Sequence, residues 1–236
     1  MIHDAKGGLF GWAIERYLGH KVRRAFRGVW VRGQLPSSEG GLVAYLNHSS
    51  FWDGFIAHQI GVLAGWNAFA MMEEVNLARY PFHTRIGAFS VRRGDPRSAL
   101  ETLRYSKKVL SRPRAAVMLF PQGELRSGAA LGRLSRGVEV LARTAAVPSV
   151  AIALRYVFFE HEHPDVLIEV GVPHAPAPLE RYEAELDAVH TRVLEATSTD
   201  GFTLAIHGRT SVQHRWDRVR AATVRSLSSS SGRAHE

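Results

Sequence analysis

No cysteine occurs among the 236 residues. A thiol nucleophile, a disulfide framework and a thiolate metal site are therefore excluded, and the composition suits a reducing compartment. No stretch approaches the ~20 apolar residues of a spanning helix. The opening Met1-Ile2-His3-Asp4-Ala5-Lys6-Gly7 lacks the basic-then-apolar pattern of a secretory signal, so the chain is expected to stay on the cytoplasmic side. No serine lies in a Gly-x-Ser-x-Gly elbow, which leaves serine hydrolysis without support. There is no internal repeat. No helix-turn-helix, finger or aromatic-sheet signature accompanies the basic segments, so nucleic acid is not expected as a partner. His161 and His163 flank Glu162 but lack a third ligand, and no metal or other cofactor is expected.

What is present supports one ordinary domain with extensions. Hydrophobic residues make up 45% of the chain and the net charge is +8. The surplus is localised. Residues 1–32 hold seven Lys/Arg against two acids, and residues 79–114 hold ten against two. Such segments attract an anionic bilayer or a phosphorylated substrate, or they simply keep the protein soluble. Three regions are expected: a basic amphipathic helical segment over 1–32, an α/β domain over 33–210, and a basic, serine-rich tail over 211–236 with too little apolar content to build a core.

Apolar residues recur at helical spacing through residues 9–30, with Arg16, Lys21, Arg23, Arg24 and Arg27 filling much of the rest. Gly19 divides the stretch into two expected helices. This segment either lies in a membrane interface, with Trp12 and Trp30 at headgroup depth, or packs on the domain's own core. Strands are expected at 29–33, 42–45, 64–72, 87–93, 115–120, 147–154 and 165–172. Helices are expected at 51–63, 73–80, 96–110, 134–145 and 179–197. Asp95 caps the helix that Pro96 begins. This alternation predicts a mixed, mostly parallel central sheet covered by helices on both faces.

Two islands carry chemistry. Asn47-His48-Ser49-Ser50-Phe51-Trp52-Asp53 follows the apolar run ending at Leu46. Ser49 or Ser50 can cap a helix starting at Phe51, placing Asp53 in its first turn, where the helix N-terminus favours a carboxylate. Asp53 could then accept Nδ1–H of His48 and leave Nε2 to take a proton from a substrate hydroxyl. A lone histidine at a strand end is more commonly structural, so the pairing with Asp53 decides the reading. The second island is Phe120-Pro121-Gln122-Gly123-Glu124-Leu125-Arg126-Ser127. Pro121 stops the strand ladder. Gly123 permits a turn with amides facing a ligand, and Arg126 can clamp a phosphate. Arg92 and Arg93 end a further strand. Ligands of open α/β sheets sit beyond the carboxyl ends of the strands, where all these segments could converge.

The chain resembles the glycerolipid acyltransferases of the type that acylates lysophosphatidic acid. His48 to Asp53, led by Asn47, matches that family's histidine–four residues–aspartate motif. Gly87-Ala88-Phe89-Ser90-Val91-Arg92 resembles its second motif, Phe120 to Ser127 its third, and Val147-Pro148-Ser149-Val150 its fourth. The resemblance implies an O-acyltransferase in which His48 is the general base and Asp53 orients it. A fatty acyl group would pass from acyl-CoA or acyl-carrier protein to a hydroxyl of a lysophospholipid-like acceptor. Arg92, Gln122, Gly123, Glu124 and Arg126 would hold the acceptor, supported by Asn47, Phe120 and Pro121. The N-terminal helix would dock peripherally on an anionic membrane.

Two departures stand in the third motif. Gln122 replaces the usual glutamate, and Glu124 adds a carboxylate where the family has threonine or glycine. A carboxylate at the rim repels a phosphate and suits sugar hydroxyls, so an acceptor with a neutral head, a glycolipid or glycosylated terpenoid, stands beside the lysophospholipid. A membrane-associated scaffold without activity is the reading from another class.

Overall fold

The computed structural model describes residues 1–92, 94–126 and 130–210. Helix α1 (Gly8–Ala25) leads into β1 (Gly28–Arg32) and β2 (Leu42–Leu46). Then come α2 (Asp53–Leu63), β3 (Asn67–Glu73), α3 (Glu74–Arg79), a 3-10 turn (Pro81–Ile86) and β4 (Ala88–Val91). The remaining elements are α4 (Pro96–Leu110), β5 (Ala115–Leu119), α5 (Gly137–Ala145), β6 (Ser149–Val157), β7 (Asp165–Val170), α6 (Leu179–Leu194) and β8 (Thr203–His207).

The strands form one mixed, mostly parallel sheet in the order β4-β3-β5-β2-β6-β7-β1-β8. β4, β3, β5, β2 and β6 run parallel to one another. β7 is antiparallel to β6 and parallel to β1, and β8 is antiparallel to β1. The central strands are apolar throughout because both faces are covered. On β2, Val43 and Tyr45 join a buried layer with Leu141 of α5 and Tyr182 and Leu186 of α6. Leu42, Ala44 and Leu46 face the opposite layer with Ile56 and Ile60 of α2 and Val22 of α1. The strand's period of two thus divides one run between two cores.

Several expectations need correction. α1 is continuous through Gly19, which is buried against the side chain of Gln59 on α2. β1 lies between β7 and β8 in the sheet, so a boundary at residue 32 cuts through the domain. Trp30 belongs to β1 and donates Nε1–H to Asp165 at 2.8 Å, so it is a sheet residue. α5 starts at Gly137, making that glycine an N-terminal residue of the helix. β8 was not expected. It is a short edge strand on which Ile206 alone is buried, too weak a pattern to stand out. The tail 211–236, Arg93 and Ser127 lie outside the described residues. Among the described residues, no helix is long and apolar enough to cross a membrane.

Candidate active site

β2 runs out at Leu46, but its pairing with β6 continues through a side chain. Asn47 donates Nδ2–H to the carbonyl of Leu154 at 3.0 Å and accepts its N–H at 2.7 Å. The buried amide imitates a backbone unit and locks the start of the loop. His48 follows. Its Nδ1 lies 2.8 Å from Asp53 Oδ2. The chain between them folds back so that Ser49 and Ser50 donate their N–H groups to the same oxygen at 2.6 and 2.8 Å. Asp53 opens α2 and its side chain is fully buried. The helix starts two residues later than expected, and neither serine side chain caps it. Instead Ser50 Oγ accepts from Trp52 N–H at 3.2 Å, while the loop's own amides solvate the carboxylate.

The other oxygen of Asp53 accepts the Tyr156 hydroxyl at 2.7 Å. This residue was missed in the sequence. It lies 103 positions away, near the end of β6, and no local spacing connects it to the first island. Burial, and then the adjacent Asp53, push the Tyr156 phenol well above its usual ionisation range.

A carboxylate only accepts hydrogen bonds. Nδ1 of His48 is therefore the donor, and in the neutral imidazole Nε2 carries the lone pair. The imidazole stacks on Phe120, with ring centroids 4.5 Å apart, and its side chain is 28% exposed. One edge of the ring is thus oriented from inside while the ring remains within reach of a ligand.

The second island braces the first. Gln122 Oε1 accepts the His48 N–H at 2.6 Å, and its Nε2 donates to the Leu131 carbonyl at 2.5 Å. Arg126 N–H donates to the His48 carbonyl at 2.8 Å. Both backbone groups of His48 are thereby held. Gln122 spends both ends of its amide on backbone partners, which makes it a strut. A glutamate could accept from His48 but could not donate to Leu131. Gly123 has φ +74°, as a turn glycine should, but its N–H goes to the Phe120 carbonyl at 3.0 Å and does not face a ligand. Pro121 is buried, and its carbonyl accepts from Ser135 N–H at 2.8 Å.

The two candidate phosphate clamps are occupied. Arg126 pairs with Glu124, both side chains about half exposed, and its guanidinium lies against Gly132. Arg92 pairs with Glu74 of α3 and sits 3.6 Å from Asp95. The Glu74 carboxylate raises the ionisation range of Arg92, and Arg92 lowers that of Glu74. Strand register aligns the ends of β2, β5, β3 and β4, after which His48, Gln122, Glu74 and Arg92 follow. Tyr45 pairs with Leu119, Ala70 with Met118 and Met71 with Phe89, and each of the four lies three residues beyond that row. All four stand past the carboxyl ends of parallel strands. Arg92 is nevertheless three strands from His48, about 14 Å at the usual strand spacing. His48, Asp53, Asn47, Phe120, Gln122 and the Arg126 backbone are brought together; Arg92 marks the far end of the same edge.

His58, His161 and His163 lie elsewhere. Among the described residues, the buried Nε2 of His58 on α2 has no hydrogen-bond partner, and burial, then Lys6, pushes its pKa down to about 4. His161 and His163 lie in the connection between β6 and β7. Among the described residues, no group of three or more His, Asp or Glu side chains is placed to hold a metal ion.

A family model described as Acyltransferase matches residues 28–155, which run from β1 into β6 and hold the site residues named above except Tyr156, one position beyond the match. No curated protein matches the chain. Among solved structures, the fold is similar to the 1-acyl-sn-glycerophosphate (LPA) acyltransferase, PlsC, from Thermotoga maritima. The TM-score is 0.53 at 14% identity, covering 80% of this chain and 78% of that one.

Proposed function

Since this chain belongs to the acyltransferase family and is an O-acyltransferase, we propose that it moves a fatty acyl group from acyl-CoA or acyl-carrier protein to a hydroxyl of a lysophospholipid-like acceptor, with His48 as general base. The observation that carries this is the 2.8 Å contact between His48 Nδ1 and the fully buried Asp53. Nε2 takes the proton of the acceptor hydroxyl as its oxygen attacks the thioester carbonyl carbon. The tetrahedral intermediate collapses with cleavage of the C–S bond. The thiolate leaves and recovers the proton from the imidazolium, which Asp53 stabilises meanwhile. No enzyme nucleophile and no cofactor take part.

A second acceptor class has a specific observation in its favour. The Glu124 and Glu74 carboxylates already neutralise Arg126 and Arg92. A phosphate would meet the like charge of these carboxylates beside each arginine, whereas a neutral, hydroxyl-bearing head could bond to the pairs as they stand. Lysophosphatidic acid and a glycolipid, offered separately with labelled acyl-CoA and acyl-carrier protein, test both readings. Preferred turnover of lysophosphatidic acid would sink the neutral-head reading, and preferred turnover of the glycolipid would sink the phosphate one. Binding to vesicles without product from either acceptor would favour an inactive scaffold.

The reading includes peripheral docking on the cytoplasmic face of an anionic membrane through α1. Supporting it, Leu9, Phe10, Trp12 and Tyr17 are exposed on α1, Leu9 by 81%. Arg16 lies over the Trp12 ring and Lys21 over that of Tyr17. Apolar groups edged by cations suit an interfacial helix.

A further inference from the structure

We propose that Tyr156 is a positioning residue for acyl transfer, holding Asp53 so that its Oδ2 faces His48; the proposal rests on the role of His48 given above.

The geometry starts from Asn47. Its two bonds to Leu154 fix the loop of β2 against β6. Residues two apart on a strand share a face, so Tyr156 projects to the same side as Leu154, towards the layer containing α1 and α2. There its ring packs against Phe26, centroids 5.6 Å apart, and Phe26 also meets Trp52 edge-on at 5.1 Å. Trp52 directly precedes Asp53. The phenol is thus held between the end of α1 and the start of α2, with its hydroxyl 2.7 Å from Asp53 Oδ1.

The two carboxylate oxygens have separate duties. Oδ2 receives His48 Nδ1–H and two backbone amides. Oδ1 receives the Tyr156 hydroxyl. Without that donor a buried oxygen loses its partner, and the carboxylate can turn about its terminal torsion, which is broad. The hydroxyl also draws charge from the carboxylate. Removing it makes Asp53 a stronger attractor of a proton on His48, and an imidazole that holds its proton more tightly is a weaker supply of free base at low pH. Arg126 meets His48 through its backbone, with its guanidinium turned to Glu124, so among the described residues the side-chain to side-chain hydrogen bonds at Asp53 join His48, Asp53 and Tyr156.

The variant Tyr156→Phe keeps the ring and deletes one hydroxyl. In the full chain, kcat should fall roughly tenfold, the factor expected for one hydrogen bond to a charged group, while KM for donor and acceptor stays within about twofold. The acid limb of the kcat/KM profile should move to higher pH. The His48 imidazole titration followed by NMR should move the same way, and this readout needs no turnover. Unchanged kcat and an unchanged His48 titration, with only a lower melting temperature, would reduce Tyr156 to a packing role and overturn the proposal. Asp53→Asn measured alongside separates the two ideas. Full activity in that variant would remove the base reading, while the NMR titration of Tyr156→Phe still decides whether the tyrosine acts on the pair. In the Asp53→Asn background, the second change should cost little further activity.

Discussion

At the scale of single residues, His48→Ala should abolish nearly all turnover with the circular dichroism spectrum unchanged. Asp53→Asn should cost roughly 10²–10⁴-fold in kcat, as loss of the orienting acid does in a triad. Activity near wild type in both would contradict the base assignment. Gln122 carries a different expectation. Gln122→Glu deprives the Leu131 carbonyl of its donor, and a lost partner of this kind costs about 1–3 kcal/mol. The melting temperature should fall by several degrees, whereas a Gln122 that served only to bind acceptor would change KM and leave the melting temperature alone. The pairing of His48 with Asp53 was legible because both partners lie within one turn of chain, where capping and backbone folding constrain them. Tyr156 was not, because its contact depends on β6 standing beside β2. The paired state of Arg126 was only half legible: Glu124 was visible as a departure, but its closure onto the guanidinium depends on loop geometry.

At the scale of elements, α1 carries two apolar faces. Ile14, Leu18 and Val22 are buried in the domain, while Leu9, Phe10, Trp12 and Tyr17 face outwards. Both readings of the helix, core and interface, therefore find residues to support them, because its apolar positions run around more than one stripe. Replacing Leu9, Phe10 and Trp12 together with serine should weaken binding to anionic vesicles at least tenfold by flotation, with turnover of a short-chain, soluble acceptor preserved. Unaltered vesicle binding would argue against docking through this face. Helix α2 carries a pH dependence. His58 has its pKa depressed to about 4 by burial and then by Lys6, so the unfolded chain binds more protons than the folded one between that value and the ordinary histidine range. Above about pH 6.5 it adds no protonation cost, and stability is lost as the pH falls towards 4, on the order of 3 kcal/mol if it acts alone. His83 and His190 are lowered by burial as well and act in the same sense. The difference between wild type and His58→Leu isolates the one residue: denaturant melts from pH 7 to 4 should show a shallower loss in the variant. Parallel slopes would mean that His58 titrates alike in the folded and unfolded chain, and would contradict the depressed value.

At the scale of the whole molecule, the alternation of strands and helices was enough to expect a covered, mostly parallel sheet, because continuous apolar runs such as Leu42–Leu46 need cover on both faces. Strand order was out of reach. Nothing local places β5 between β3 and β2 or β1 beside β7, and that order is what sets Gln122 against His48 while leaving Arg92 three strands away. The result is an edge of parallel strands with an oriented imidazole near its middle and paired arginines further out. The most direct test is mass identification of the product formed when the purified chain meets a labelled acyl thioester and a lipid extract, run in parallel with His48→Ala. An O-acylated lipid made by the wild type and missing from the variant is the predicted result. The same product at the same rate from His48→Ala would contradict the account, because the acyl transfer would then proceed without the base on which it depends.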